Sequence, residues 1–416
     1  MMIMAGQGGA TVQIDADNSG SFETTVSLAE GQSHLVNGNV RVGARVSSNR
    51  PVQIDLLTGD ISSNYESRFF RLLPTNLWSN SYYTPVSTPS SAQGITGTST
   101  TVWLYNPNPS SITVQYERRT ATGITTTART VPANSYFKEV LPEGYGAHFY
   151  TTGGQTFYAL STTDSTNTNT NDGQYTGNQA WDWGFALVPK TSLTPQLLIG
   201  LGIGRDPTSG TNPEENGNPV WVTPIGNGDT AVTVYVDYDA DPTTGSLTDP
   251  NDNKYDVSYS LKELERRKVY DPNDDDQTGM LLYVLTPGIK LVGAWGQDPL
   301  TASAAAPGLD LGTGIPPLPL FDAGKTATLY EDRDNDGYVS PGDVLLYTIV
   351  INNIARAPVP DMLLKDAFPV DAIYVEDSTN LTKSATGITT AIPDSGVTAF
   401  PLDEGGVILD NVNALP

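Results

Sequence analysis

Apolar residues in this chain recur at every second position in short runs, and glycine, proline and asparagine cut the runs off before a helical period can establish itself. Thr101-Val102-Trp103-Leu104-Tyr105, Ile112-Thr113-Val114-Gln115-Tyr116 and Ala231-Val232-Thr233-Val234-Tyr235-Val236 each place alternate side chains on opposite faces of an extended backbone. Asn106-Pro107-Asn108-Pro109, between the first two, reads as a turn. A half-buried strand has to pack its apolar face on another sheet, and 416 residues with 40 Gly and 30 Pro are too many for one sandwich. The expected fold class is all-β: tandem β-sandwich domains with Greek-key or Ig-like character. Residues 261–269 have some helical potential, yet their place in the repeat described next predicts a strand.

Three places share glycine, apolar, basic, apolar: Gly43-Ala44-Arg45-Val46, Gly146-Ala147-His148-Phe149 and Gly288-Ile289-Lys290-Leu291. Each is followed by a second apolar run and an acid, at Asp60, Asp164 and Asp298, which predicts a hairpin in three copies. Phe70-Arg71-Leu72-Leu73-Pro74 recurs as Phe185-Ala186-Leu187-Val188-Pro189, one sandwich-length further on. The Thr/Asn tract at 161–171 has nothing to bury and reads as an exposed loop. These signals predict a partial first repeat at 1–65, a second at 66–172, a third at 173–302 with acidic loops, and a Pro/Gly/Ala-rich linker at 303–321 unable to sustain a ladder or helix. A last module follows at 322–416, with strands expected at 344–351, 362–364 and 372–375.

The last module opens on Asp332-Arg333-Asp334-Asn335-Asp336-Gly337-Tyr338-Val339-Ser340-Pro341-Gly342-Asp343. Carboxylates at loop positions 1, 3, 5 and 12, glycine at 6 and an apolar residue at 8 are the pattern of a calcium loop. A hard divalent ion takes six to eight oxygens, and alternate Asp side chains on a tightly turning backbone supply them. The candidate ligands are Asp332, Asp334, Asp336, Tyr338 at position 7 and Asp343. Because the closing ligand is Asp rather than Glu, affinity should be modest, about 10⁻⁴ M. At roughly millimolar calcium such a site stabilises the fold by ~1.4 kcal/mol, whereas cytosolic calcium would leave it empty. Weaker candidates are Asp15, Asp17 and Ser19 in Asp15-Ala16-Asp17-Asn18-Ser19-Gly20, which has Val26 at position 12, and Asp237, Asp239, Asp241, Asp271, Asn273 and Asp275 in the third repeat. Hydrated loops without metal explain any single one of these weaker clusters equally well.

Asp332 to Asp343, with Tyr347-Thr348-Ile349, Asn352-Asn353, Asp366-Ala367-Phe368-Pro369 and Ile373-Tyr374-Val375, resembles the conserved-repeat β-sandwich of unknown function found in tandem in bacterial and archaeal surface proteins. Ile354 departs from the pattern, which has glycine after the asparagines. The chain also stops before the glycine-led strand that closes the family's sandwich, so the resemblance implies an unfinished module. The Gly-apolar-basic-apolar motifs and apolar-Pro corners are similar to the repeated N-terminal region of IgG-Fc-binding-type surface proteins. That likeness implies an extracellular interaction scaffold and identifies no contact residue.

Composition narrows the function further. Forty-six acids against 22 bases give a formal charge of −24, which repels phosphate backbones and anionic lipid surfaces, so nucleic acid is not an expected partner. The absence of cysteine excludes disulfides, zinc-thiolate sites and thiol nucleophiles. No apolar run approaches a membrane span, and residues 1–10 lack the pattern of a signal peptide, so export is expected to use a leader already removed or a larger precursor. His34 and His148 are the only neutral-pH bases, both in strand or turn contexts, and Asp182 between Trp181 and Trp183 has no second carboxylate to pair with. No enzyme is expected. The reading is an extracellular, calcium-stabilised structural protein of a prokaryotic surface: a subunit of a filament, sheath or surface layer. Its expected partner is itself, with a strand of one subunit completing the next subunit's C-terminal module. The alternative is a calcium-dependent adhesin or glycan-binding surface protein that uses exposed aromatics such as Tyr82, Tyr83, Trp181 and Trp183 to contact surface glycans or other surface proteins.

Overall fold

The computed structural model describes residues 1–58, 68–92, 95–163, 183–204, 217–300, 311–357, 359, 362–383, 386–393, 399–403 and 406–409. The Thr/Asn tract from residue 164 onward, Trp181 and Asp182, and the first part of the expected linker lie outside them. The chain divides into two compact units, Met1–Leu318 and Pro319–Pro416. Both are built of antiparallel strands. Among the described residues the helical elements are the 3₁₀ turns Thr75–Leu77 and Lys190–Ser192, and no helix is long and apolar enough to cross a membrane.

The larger unit is a tandem array of three β-sandwiches. The first uses β1 (Met2–Ala5), β2 (Ala10–Asp15), β3 (Thr24–Leu28), β4 (Ser33–Leu35), β5 (Arg45–Ser48), β6 (Val52–Thr58) and β7 (Arg68–Leu72), in sheets of order β4-β1-β6-β7 and β3-β2-β5. The second contains β8 (Ser81–Thr84), the short pair β9 (Ser91–Ala92) and β10 (Ile95–Thr96), β11 (Thr100–Asn106), β12 (Ile112–Thr120), β13 (Gly123–Val131), β14 (Ser135–Val140), β15 (Ala147–Tyr150), β16 (Tyr158–Thr163) and β17 (Trp183–Ala186). Its sheets run β14-β11-β16-β17 and β13-β12-β15-β8. The third contains β18 (Gln196–Leu198), β19 (Val220–Ile225), β20 (Val232–Asp237), the pair β21 (Leu247–Thr248) and β22 (Lys254–Tyr255), β23 (Val257–Leu261), β24 (Arg267–Val269), β25 (Leu281–Tyr283), β26 (Lys290–Gly296) and β27 (Gly312–Gly314). Its sheets run β24-β19-β26-β27 and β23-β20-β25-β18. Strand for strand the three modules therefore repeat one order, with one exception: among the described residues no counterpart of β8 and β18 lies beside β5.

Alternation explains the cores. In β12, Ile112, Val114 and Tyr116 are buried while Thr113, Gln115 and Glu117 point to the other face. Val102, Leu104, Phe149 and Phe157 from the neighbouring strands complete that core, and Val222, Val234, Leu282 and Leu291 hold the equivalent places in the third module.

Three sequence expectations need correction. The paired apolar runs at 43–56 and 146–160 are not hairpins, because β5 and β6, like β15 and β16, lie in opposite sheets. A fold-back within one sheet and an arch over the core leave the same alternation, so the sequence signal could not separate them. In the third module, residues 290–296 form one strand, and the counterpart of β5 and β15 is the earlier β25. Finally, the glycine-rich run at 312–314 does sustain a ladder: β27 pairs with β26. Its glycines, with Gly296, admit aromatic rings. A Cβ on Gly296 would lie 2.6 Å from the Trp183 ring and one on Gly314 2.9 Å from Phe185. The same contact occurs one module earlier, where Phe70 of β7 lies over Gly184 of β17. Since β7, β17 and β27 each follow a long polar or glycine-rich segment, boundaries drawn at those segments cut each module one strand short.

The second and third modules are also joined by charge and backbone. Arg119, 3% exposed, donates to the carbonyls of Glu263 and Gly228 and to Asp229 Oδ1, the last two at 2.7 and 2.8 Å. The Gly146 amide donates to Leu264 O at 2.8 Å. Tyr83, Leu193, Ile225, Leu264 and Val292 form an apolar cluster between the modules.

Among the described residues the smaller unit contains three two-stranded ladders: β28 (Phe321–Glu331) with β29 (Val344–Asn353), β30 (Met362–Leu364) with β33 (Val407–Leu409), and β31 (Asn380–Lys383) with β32 (Ile388–Ala391). The strand expected at 372–375 is absent. Tyr374 there packs against Phe368 and Phe400, with ring centroids 6.1 and 5.4 Å away, while Ile373 and Val375 are exposed, so the segment gives one ring to an aromatic cluster and forms no ladder.

Candidate calcium loops

The long hairpin of the smaller unit turns through residues 332–343. Three backbone features close this loop: Asn335 at φ 59°, Gly337 at φ 80° and Gly342 at φ 111°, left-handed conformations that asparagine and glycine tolerate best. Asp side chains cap the turn. Asp332 Oδ2 accepts the Gly337 amide at 2.8 Å, Asp336 Oδ1 the Tyr338 amide at 2.7 Å, and Asp334 the Ser340 hydroxyl at 3.1 Å. Asp343 accepts the amides of Arg333 at 3.0 Å and Ser340 at 2.8 Å, which hold its carboxyl below the usual carboxylate range.

Carboxylate oxygens of Asp332, Asp334 and Asp343 lie within 4.8 Å of one another. Oxygens bound to one calcium at 2.3–2.6 Å can be at most about 5 Å apart, so the three fit a single ion. Asp332 Oδ1 is buried and accepts no hydrogen bond. A carboxylate oxygen in that position is costly unless a cation or proton faces it. Asp336 is not part of the trio, and Tyr338, at loop position 7, is 76% exposed, so what it can offer an ion is its carbonyl.

Among the described residues the other such trio is Asp15, Asp17 and Glu23, in the loop after β2. The loop resembles the first in its turn, with Asn18 at φ 58° in the fourth position and the Ser19 and Gly20 amides donating to Asp15. It differs in charge. Burial pushes the Asp15 carboxyl up, but Arg45, 2.9 Å away, and those two amides outweigh burial and leave it below its ordinary value. Asp15 is thus already neutralised by a protein cation. Glu23 was not a sequence candidate, and Arg45 stood out only as the basic position of the first repeat motif. Arg45 lies 30 positions from Asp15 and becomes its neighbour only through the β2–β5 register.

Of the acidic loops of the third module, the one opening at Asp237 follows β20, the counterpart of β2, and the one opening at Asp271 follows β24. Ala240 takes φ 56° in the fourth position, as Asn18 and Asn335 do. Asp239 accepts the Asp241 amide and the Thr244 hydroxyl, which lower its pKa, while Asp241 accepts both Thr243 donors. Asp237 and Asp271 are buried. Burial, and then the charges of Asp274, Asp256 and Asp275, push Asp271 up to about 6 against the Asn273 amide bond. No three of Asp237, Asp239, Asp241, Asp271 and Asp275 come within the one-ion distance shown by the two trios above, and Asn273 contributes its amide to Asp271. Asp249, outside the candidates, is buried and accepts from the Tyr283 hydroxyl and Asn253.

Two other groups involve residues that could carry different chemistry. Ser81 Oγ lies 2.8 Å from His148 Nε2, and His148 Nδ1 lies 2.8 Å from Glu117, the connectivity of an acyl-transfer triad. Ser81 and His148 are both buried, with His148 stacked on Tyr83, a member of the apolar cluster that joins the modules, and on Tyr150. The bonds tie the neighbouring strands β8, β15 and β12 together side by side. Tyr82, Tyr83 and Trp183 are buried too, which removes them as contact residues for a glycan. Comparison with protein families, characterised proteins and solved structures finds no match for this chain.

Proposed function

We propose that this chain is a calcium-stabilised structural subunit of an extracellular prokaryotic assembly, a filament, sheath or surface layer, in which copies join by strand complementation. The observation that carries the reading is the trio Asp332, Asp334 and Asp343, close enough for one ion, with a buried oxygen of Asp332 lacking a partner. Modules locked by aromatic rings on glycine support a mechanical role, as does the resemblance of residues 322–416 to surface-protein repeats. The −24 formal charge is tolerable where calcium and other cations are plentiful. The test is thermal unfolding with and without about 1 mM calcium. Calcium should stabilise the unit at 319–416 in the native chain and have no effect after Asp334→Ala, with the upstream modules unchanged. An unfolding profile indifferent to calcium contradicts the reading.

One observation favours the adhesin alternative. The outer face of β11 and β14 carries Trp103 beside Tyr136, ring centroids 5.5 Å apart, with Lys138 over the Trp103 ring and Tyr136 45% exposed. Such a ring surface suits sugar stacking. Glycan-array binding lost on Trp103→Ala and Tyr136→Ala would establish it, and an array without signal would remove it.

A further inference from the structure

The three modules repeat one strand order, but among the described residues the first lacks one member. In the second module β8 runs beside β15, and in the third β18 runs beside β25. Each of these added strands sends a large side chain into the core: Tyr82 and Leu197 are both 0% exposed. Each follows the last strand of the preceding module through an apolar-Pro corner and a 3₁₀ turn. In the first module the corresponding edge, on β5, has no strand beside it among the described residues.

The open edge is marked in three ways. Val46 corresponds to Phe149 and Leu282, which are both 0% exposed, yet Val46 is only half-buried. The core around it is thin as well, with Val26, Val36, Val40 and Val52 only partly buried. Ser48 corresponds to Thr151 and Val284. Their amides donate to the added segment, Thr151 to Asn80 O at 2.9 Å and Val284 to Pro195 O at 3.0 Å. On β5 the Asn49 amide bonds inward to Thr11, so the alternation of an antiparallel ladder turns the amides of Val46 and Ser48 outward.

We infer that the β5 edge is a strand-acceptor slot filled by β28 of a second copy of this chain, which moves the joint from the C-terminal module to the first. The inference rests on the reading of the chain as a self-assembling subunit. The occupant follows from the repeat. The segment that fills this slot in the second and third modules is the one that comes after the preceding module's last strand and an apolar-Pro corner. After β27 and Ile315-Pro316, the next strand is β28. It is 11 residues long, almost wholly exposed and, among the described residues, paired on one edge only, with β29. Ala327 and Leu329 alternate along it and supply the apolar side chains that would turn toward Val46.

With Leu329 opposite Val46, Ser47 faces Thr328 as a non-hydrogen-bonded pair, the spacing at which a disulfide forms. The chain has no native cysteine, so copies carrying Ser47→Cys and copies carrying Thr328→Cys can be mixed and oxidised. A covalent dimer requiring both variants is expected. Ser48→Pro removes one outward amide at an edge that tolerates proline, and should weaken self-association about tenfold without changing the melting temperature. Association that persists with no mixed disulfide and no effect of Ser48→Pro overturns the slot and leaves the assembly reading standing. A native chain that stays monomeric at high concentration with calcium overturns both.

Discussion

Arg119→Met tests whether the second and third modules are joined rigidly by the contacts around that residue. Arg119 reaches the Glu263 and Gly228 carbonyls across the interface, and its side chain is 3% exposed. Hydrogen bonds from a charged donor contribute roughly 1.5–3 kcal/mol each, so two at the lower figure are worth about 3 kcal/mol. The Asp229 bond adds little, because that side chain is 75% exposed and solvent screens the pair. Methionine keeps most of the stem's packing, and removing the buried guanidinium recovers part of its desolvation cost. The net loss should be about 2 kcal/mol, read by urea unfolding with the slope unchanged. A local readout accompanies it: the Gly146 amide, bonded to Leu264 O across the interface, should lose hydrogen-exchange protection while the β12–β13 ladder keeps its own. A change below about 0.5 kcal/mol with Gly146 still protected would refute the account of this joint.

Three further outcomes follow from buried groups. Gly296→Ala pushes a methyl against the Trp183 ring and should cost about 1–3 kcal/mol, seen as a lower melting temperature of the larger unit. Burial pushes the His148 pKa down against its bond to Glu117, with Lys190 lowering it further and Glu263 raising it, while the rings of Tyr83 and Tyr150 cover its faces. The unfolded chain therefore takes up this proton first, and stability should fall as pH drops below about 6.5. His148→Gln should flatten that dependence in denaturant titrations between pH 5 and 7.5. Asp271, pushed up to about 6, contributes stability that is full below about pH 4 and lost as pH rises through 6. Asp271→Asn should accordingly raise the melting temperature at pH 7 by about 2–4 °C and have no such effect at pH 3.5.

Much of this fold was legible because the alternation is local. Ile112, Val114 and Tyr116 announce their strand and their buried face without help from distant residues. Strand partnership is not local: the run at 43–56 looks the same as a hairpin and as an arch between sheets. Glycine is the other ambiguous signal. Gly312-Thr313-Gly314 resembles a linker until Trp183 and Phe185, more than 120 positions earlier, are seen to require small residues there. The loop at 332–343 was legible for the opposite reason, since the residues it brings together are all within twelve positions. Asp15 carried the same local signal, but its charge is answered by Arg45 from a strand whose register no short motif encodes.

The most direct test is electron microscopy with light scattering on the purified chain, in about 1 mM calcium and again after chelation. The account predicts extended assemblies that fray or dissociate when calcium is withdrawn and re-form when it is restored, and that fail to form with Asp334→Ala. Monomers in calcium, or assemblies indifferent to the chelator, would contradict it.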